Sequence, residues 1–208
     1  YAPDPSVVDN TRACLDVLAA AGNVATFSIL TPVAEHYPDL IRMILDGGHE
    51  IAVHGYRHSL VYDLTPDEFR LDLERSLELL SAAGADGVVG YRAPYWSITR
   101  RSLWALDVLR EFGFRYDSSI FPIRRGLYGI ADAPRTPHEI RDGLWEFPPA
   151  TWRCLGLNVP IAGGGYLRLL PEGLTGALID RMARRGEYGV FYCHPYELDP
   201  QDVRPGVK

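Results

Sequence analysis

In the stretch GGHEIAVHGYRHSL, His54 and His58 stand four residues apart, directly after a short apolar run. Two imidazoles at that offset can hold one metal ion, but only if the backbone lets them meet. A strand running through both would separate their backbone positions by roughly 13 Å, too far for two short side chains. A chain that turns helical at Gly55 brings the offset down to about 6 Å, and both rings can then converge on one point. Neutral imidazoles favour zinc or a similar first-row ion, and an open catalytic zinc site typically takes three protein ligands and a water. The plainer alternative is a pair of surface or capping histidines.

Four further polar residues fall at or just past the ends of apolar runs: Arg92 in YRAPYWS, Asp117 in YDSSIFP, Glu146 in WEFPPA and His194 in FYCHPYELD. In a β/α barrel such strand ends form the rim of the active site. Each also has an ordinary reading. Arg92 can be a surface arginine held by a proline-rich turn, although a buried guanidinium would need a carboxylate partner. Asp117 can equally cap a helix or a turn, and Glu146 stays open. His194 can be a core histidine, but the strand that delivers it stops at Pro195, which suits placement for use. Tyr95, Trp96, Trp145 and Trp152 are core aromatics or, if several share one rim, a stacking surface for sugar rings. The AGGGY stretch from Ala162 to Tyr166 lacks the spacing of a phosphate loop and reads as a flexible turn in a hairpin-like insertion.

The elements that must position these residues alternate along the chain. SVVDNTRACLDVLAAAG has a helical pattern ending at Gly22, VATFSIL reads as a strand, AEHYPDLIRMILDGG as a second helix and HEIAVH as a strand. TPDEFRLDLERSLELLSAAG carries the fullest helix signals, with Thr65 as N-cap, Pro66 at the first position, Glu68 closing a capping box and Gly84 ending it. Its buried face is marked by Phe69, Leu73, Leu77 and Leu80. VVGYRAP, FRYDSS, LWEFP and YGVFYCH are further strand candidates, with helices at TRRSLWALDVLREFG and PEGLTGALIDRMARRG. This alternation predicts an α/β fold with a mainly parallel sheet covered on both faces.

With 208 residues, 47% of them hydrophobic, the chain can bury a sizeable core without disulfides, and it reads as one domain. A net charge of -6 without any run of Lys or Arg argues against nucleic acid as a partner. Cys14, Cys154 and Cys193 are far apart and odd in number, so they are expected as buried small hydrophobes. No apolar run approaches the ~20 residues that span a bilayer, and the compartment is not readable from the chain.

Taken together, ATFSIL, AEHYPDLIRMILDGGHEIAVHGYRH, GYRAPYWSITRRSLWALDVLREFGFRYDSSIFP, EFPPAT, AGGGYLRLLP and VFYCHPYELDP resemble the NodB-type polysaccharide deacetylases of carbohydrate esterase family 4, and most of all the branch found beside bacterial exopolysaccharide gene clusters. The resemblance runs from about Ser6 to Pro200. It implies a distorted (β/α) barrel of fewer than eight strands and a metal-dependent amidase acting on an N-acetylated glycan. It also implies that His54 and His58 bind the metal, that Arg92 orients a catalytic carboxylate, and that the Tyr95 backbone N–H helps hold the oxyanion, with Trp96 beside it at the substrate. His194 falls on the family's acid histidine, and Asp117 on the aspartate that tunes it. Two positions depart from the pattern: no tryptophan follows Asp117 in YDSSIFP, and Tyr192 stands where a leucine is common. The family's first motif, a strand ending in two acidic residues, has no counterpart before YAPDPSVVDNTRACLDVL, so the base and the third metal ligand are expected upstream of Tyr1. The same constellation can serve another C–N bond, in a ureide or a formamido sugar. Without the acidic motif it can serve a sugar-binding pseudoenzyme.

Overall fold

A computed structural model describes residues 3–198. Helices and strands alternate through the first half: α1 (Ser6–Ala20), β1 (Thr26–Ile29), α2 (Pro32–His36), α3 (Pro38–Asp46), β2 (Glu50–Val53), α4 (Pro66–Ala82), β3 (Gly90–Tyr91), α5 (Trp104–Glu111) and β4 (Tyr116–Asp117). The chain continues through β5 (His138–Arg141) and β6 (Leu144–Glu146) into a hairpin of β7 (Thr151–Cys154) and β8 (Leu157–Pro160), then α6 (Gly164–Leu169) and α7 (Glu172–Arg184). Six strands make one sheet in the order β1-β2-β3-β4-β6-β5, all parallel except β5, which folds back on β6. This is the expected α/β class, with β1 and β5 as the sheet edges among the described residues.

Parallel strands place all their C-terminal ends on one side of the sheet. Val53, Tyr91, Asp117 and Glu146 close β2, β3, β4 and β6 respectively, so the residues at and just after those ends gather on one rim. The helices hold the strands in place by burying one face each. In α4 the expected capping box forms: the Glu68 N–H donates to Thr65 Oγ1 at 3.2 Å and the Thr65 N–H donates to Glu68 Oε2 at 2.8 Å. Phe69, Leu73 and Leu80 are then buried, while Leu77 is only half-buried. The Phe69 ring meets Tyr91 and Trp104 edge-on at 5.6 Å and 5.7 Å, which ties α4 to β3 and α5. A smaller core of Ala150, Ile161, Ala162 and Met182 lies under the later hairpin and α7.

Several expectations change. The helix expected over AEHYPDLIRMILDGG is two helices, because Pro38 bars its predecessor from the helical region and Tyr37 sits at φ -133°. The strands at VVGYRAP and FRYDSS are only two residues long each. YGVFYCH forms no strand: only Val190 pairs, in a single parallel bridge to Pro149, and prolines at 148 and 149 cannot donate to a ladder. The AGGGY stretch is not the hairpin turn either. That turn falls at Leu155 and Gly156, both left-handed, and Gly164 and Gly165 begin α6.

Candidate active site

The β2–β3 pairing sets the site. The His54 N–H donates to the Ile29 carbonyl and the Arg92 N–H to the Val53 carbonyl, each at 2.9 Å, so the residues that follow β2 and β3 emerge side by side. His54 Nδ1 lies 2.8 Å from the Arg92 carbonyl oxygen. A carbonyl only accepts, so Nδ1 carries the proton and Nε2 keeps its lone pair, the arrangement a metal-binding histidine needs. Burial lowers the His54 pKa to about 3, which keeps the ring neutral. Burial also lowers the pKa of His58.

The two rings do meet, with centroids 5.3 Å apart, but not on a helix. Gly55 at φ 82° and His58 at φ 55° turn the chain through the left-handed region. Asp72 of α4 holds that loop by accepting from the Tyr56 and Arg57 N–H groups at 2.9 Å and 3.2 Å. The expected helical turn is therefore replaced by a loop pinned from a neighbouring helix. Among the described residues no group of three or more His, Cys, Asp and Glu side chains forms around the pair.

His194 joins the rim. Its ring lies 6.0 Å from that of Tyr192, which in turn lies 4.6 Å from Trp96. Its ring stacks on Tyr196 at 5.0 Å, and its backbone N–H donates to Glu197 Oε2 at 2.9 Å. The carboxylate beside its ring is Glu197, with Oε1 3.7 Å from Nδ1. Asp117, expected in that place, spends its bonds elsewhere: Ser119 Oγ–H donates to its Oδ1, and it is wholly buried beside Glu146, its register partner on β6. Arg92 donates from Nε to the Ser118 carbonyl at 3.2 Å and from a terminal nitrogen to Ser118 Oγ at 2.8 Å. Burial lowers the Arg92 pKa, while the charges of Asp117 and Glu146 oppose that shift.

The four aromatics separate. Tyr95, 56% exposed, lays its ring 4.7 Å from His58. Trp96 is half-buried among Tyr192, Phe121 and Tyr128, at 4.6 Å, 5.5 Å and 6.0 Å. Trp152 packs instead against the smaller core, with Arg181 and Arg185 over its ring, and Trp145 stays exposed on β6. Tyr192 owes its place to Gly163. A Cβ on Gly163 would fall 1.8 Å from the Tyr192 carbonyl oxygen, and the residue sits at φ 61°. Gly163→Ala should therefore cost about 1–3 kcal/mol by overpacking alone. In a protein of this size that lowers the melting temperature by roughly 2–4 °C per kcal/mol. A thermal melt checks it, and an unchanged midpoint would mean the loop yields freely.

Sequence spacing also missed a thiol pair. Cys193, immediately before His194, is exposed and meets the buried Cys14 of α1, whose hydrogen bond brings the Cys193 thiol down to about 7. Cys154 is exposed as well, so only Cys14 fits the expectation of a buried small hydrophobe.

A family model described as polysaccharide deacetylase matches residues 3–116, and one described as a domain of unknown function (DUF3473) matches residues 118–208. The chain is 31% identical over 86 residues to a peptidoglycan deacetylase of Helicobacter pylori, a match covering 41% of this chain and 28% of that protein. It is 31% identical over 98 residues to a peptidoglycan-N-acetylglucosamine deacetylase of Bacillus cereus, covering 47% and 36%. The matched stretches thus span about a third of the length of these curated relatives. A solved structure described as a polysaccharide deacetylase from Mycobacterium smegmatis superposes with a TM-score of 0.69 at 26% identity, covering 91% of this chain and 65% of that one. A carbohydrate esterase family 4 pseudoenzyme from Bacillus anthracis shares the fold, with a TM-score of 0.53 at 17% identity over 89% of this chain and 49% of that one. The match over residues 3–116 takes in more than half of the chain, including β2, β3 and the histidine pair they position, and on it the chain belongs to the polysaccharide deacetylase family.

Proposed function

We propose that the chain is the catalytic domain of a metal-dependent hydrolase that removes N-acetyl groups from an N-acetylated polysaccharide or oligosaccharide. The observation that carries this reading is the neutral His54–His58 pair, with Nε2 of His54 left free by the bond from Nδ1 to the Arg92 carbonyl. These donors fit a zinc or similar divalent ion. Such an ion supplies Lewis-acid polarisation of the acetyl carbonyl and a more acidic water.

The chain's own residues divide the remaining work. Tyr95 offers its backbone N–H to the carbonyl oxygen as negative charge develops there, and its exposed ring offers a face to the sugar. Trp96 and Tyr192, packed 4.6 Å apart, supply an apolar wall for the acetyl methyl group. Arg92 brings a positive charge to the rim, where it orients the carboxylate that takes the proton of the attacking water. His194 delivers a proton to the leaving sugar nitrogen. Asp117 is wholly buried and acts only through its neighbours.

The test uses the full-length protein, N-acetylated oligosaccharides of the peptidoglycan and chitin types, and detection of both acetate and the freed amine. Acetate release should stop on chelation and return with zinc. Bound metal and bound glycan without any acetate would replace this reading with that of a sugar-binding pseudoenzyme.

A further inference from the structure

The peptide between Arg92 and Ala93 is used at both of its polar ends. Its carbonyl accepts from His54 Nδ1 at 2.8 Å, and its N–H donates to Ser119 Oγ at 2.7 Å. The Ser119 hydroxyl in turn donates to Asp117 Oδ1. Beyond Asp117, directly across the β4–β6 register, lies Glu146, whose Oε1 accepts from the Ile120 N–H at 3.0 Å. That leaves one oxygen on each carboxyl group. Asp117 Oδ2 and Glu146 Oε2 are buried with no hydrogen-bond donor among the described residues.

Two ionised carboxylates side by side in a space closed to water would repel each other, and each would keep an unsatisfied acceptor. A single proton held between them removes both problems. The other titratable groups facing the pair allow for one negative charge, not two. They are the Arg92 guanidinium, the buried Tyr91 phenol on β3, and His138 on β5, which is the register partner of Glu146 and has its Nδ1 3.0 Å from the Thr136 carbonyl. Asp117, with the Ser119 hydroxyl donating to it, is the partner better suited to carry that charge. Burial and the Asp117 charge both favour the protonated form of Glu146.

We infer that Glu146 shares one proton with Asp117, and that this pair is the far end of a hydrogen-bonded relay running through Ser119 and the Arg92–Ala93 peptide to His54 Nδ1. Glu146 is then a positioning residue for the metal-binding nitrogen of His54, a role that rests on the metal site proposed above. Hydrogen-bonded chains of this kind polarise one another, and the partners behind a ligating histidine fix its tautomer and raise its basicity.

The proton is tested without metal. Infrared spectra of the wild-type protein at neutral pH should show a protonated-carboxyl band, which Glu146→Gln removes. The relay is tested by metal titration. Glu146→Ala should weaken zinc binding by about tenfold or more, as is usual for outer-shell partners, and Glu146→Gln, which can still donate to Asp117, should recover most of the loss. If Glu146→Ala does not fold, Ser119→Ala cuts the relay at its middle and should weaken zinc binding while keeping the carboxyl band. A wild-type protein without the band overturns the shared proton. Variants that bind zinc as tightly as wild type overturn the relay. Failure of the deacetylase reading itself would appear differently, as absent acetate release with the band and the zinc-binding order intact.

Discussion

His194→Ala is expected to keep its metal and near-native stability while kcat falls about 100-fold to 10,000-fold with KM little changed, the usual cost of removing a positioned acid. An amine leaves poorly unless it is protonated as the C–N bond breaks, so a group on the rim must deliver that proton. His194 is placed for this: its ring lies 6.0 Å from that of Tyr192 at the rim and is stacked on Tyr196, and its backbone is tied to Glu197. Glu197 Oε1 lies 3.7 Å from His194 Nδ1. Steady-state kinetics on an acetylated oligosaccharide, paired with elemental analysis of the variant, check both halves. Loss of metal, or full turnover, would move the acid role to another residue.

His54→Ala and His58→Ala should each lower bound metal at least about tenfold, since even losing an outer-shell partner costs that much. Deacetylation should fall with the metal. The two variants are not equivalent structurally. His54 is wedged between the Ile29 and Arg92 carbonyls, whereas His58 is held by the loop that Asp72 pins. Metal stoichiometry by elemental analysis decides the matter, and unchanged stoichiometry in both variants would end the assignment.

Much of this was legible in the chain itself. The capping box of α4, the α/β alternation and the convergence of His54 with His58 all follow from local signals: side-chain chemistry at fixed offsets and the period of apolar residues. What failed was whatever depends on a partner from elsewhere in the chain. The route between the histidines departs from a helical turn because Asp72, on α4, stabilises a loop that local propensity alone would not choose. YGVFYCH is rich in strand formers, yet Val190 finds only Pro149 to pair with. Glu146 could not be placed from WEFPPA, because its meaning lies in the register that sets it against Asp117. The contact of Cys14 with Cys193 joins positions at opposite ends of the sequence, and spacing carries no trace of it.

His58, Tyr95 and Trp96 all sit at positive φ, at 55°, 55° and 50°, although none is glycine. Each such residue holds about 1–3 kcal/mol of conformational strain, retained only because the surroundings leave it no alternative. For protein engineering this sets a trap. A screen that rewards thermal stability alone would favour glycine or asparagine at His58 and Tyr95, where the backbone would relax and the melting temperature rise, whereas at Trp96 the packing lost against Tyr192, Phe121 and Tyr128 outweighs the relief. The same exchange would strip a metal-binding candidate and the exposed Tyr95 ring from the rim, so a more robust protein selected in this way would be one that had given up its chemistry.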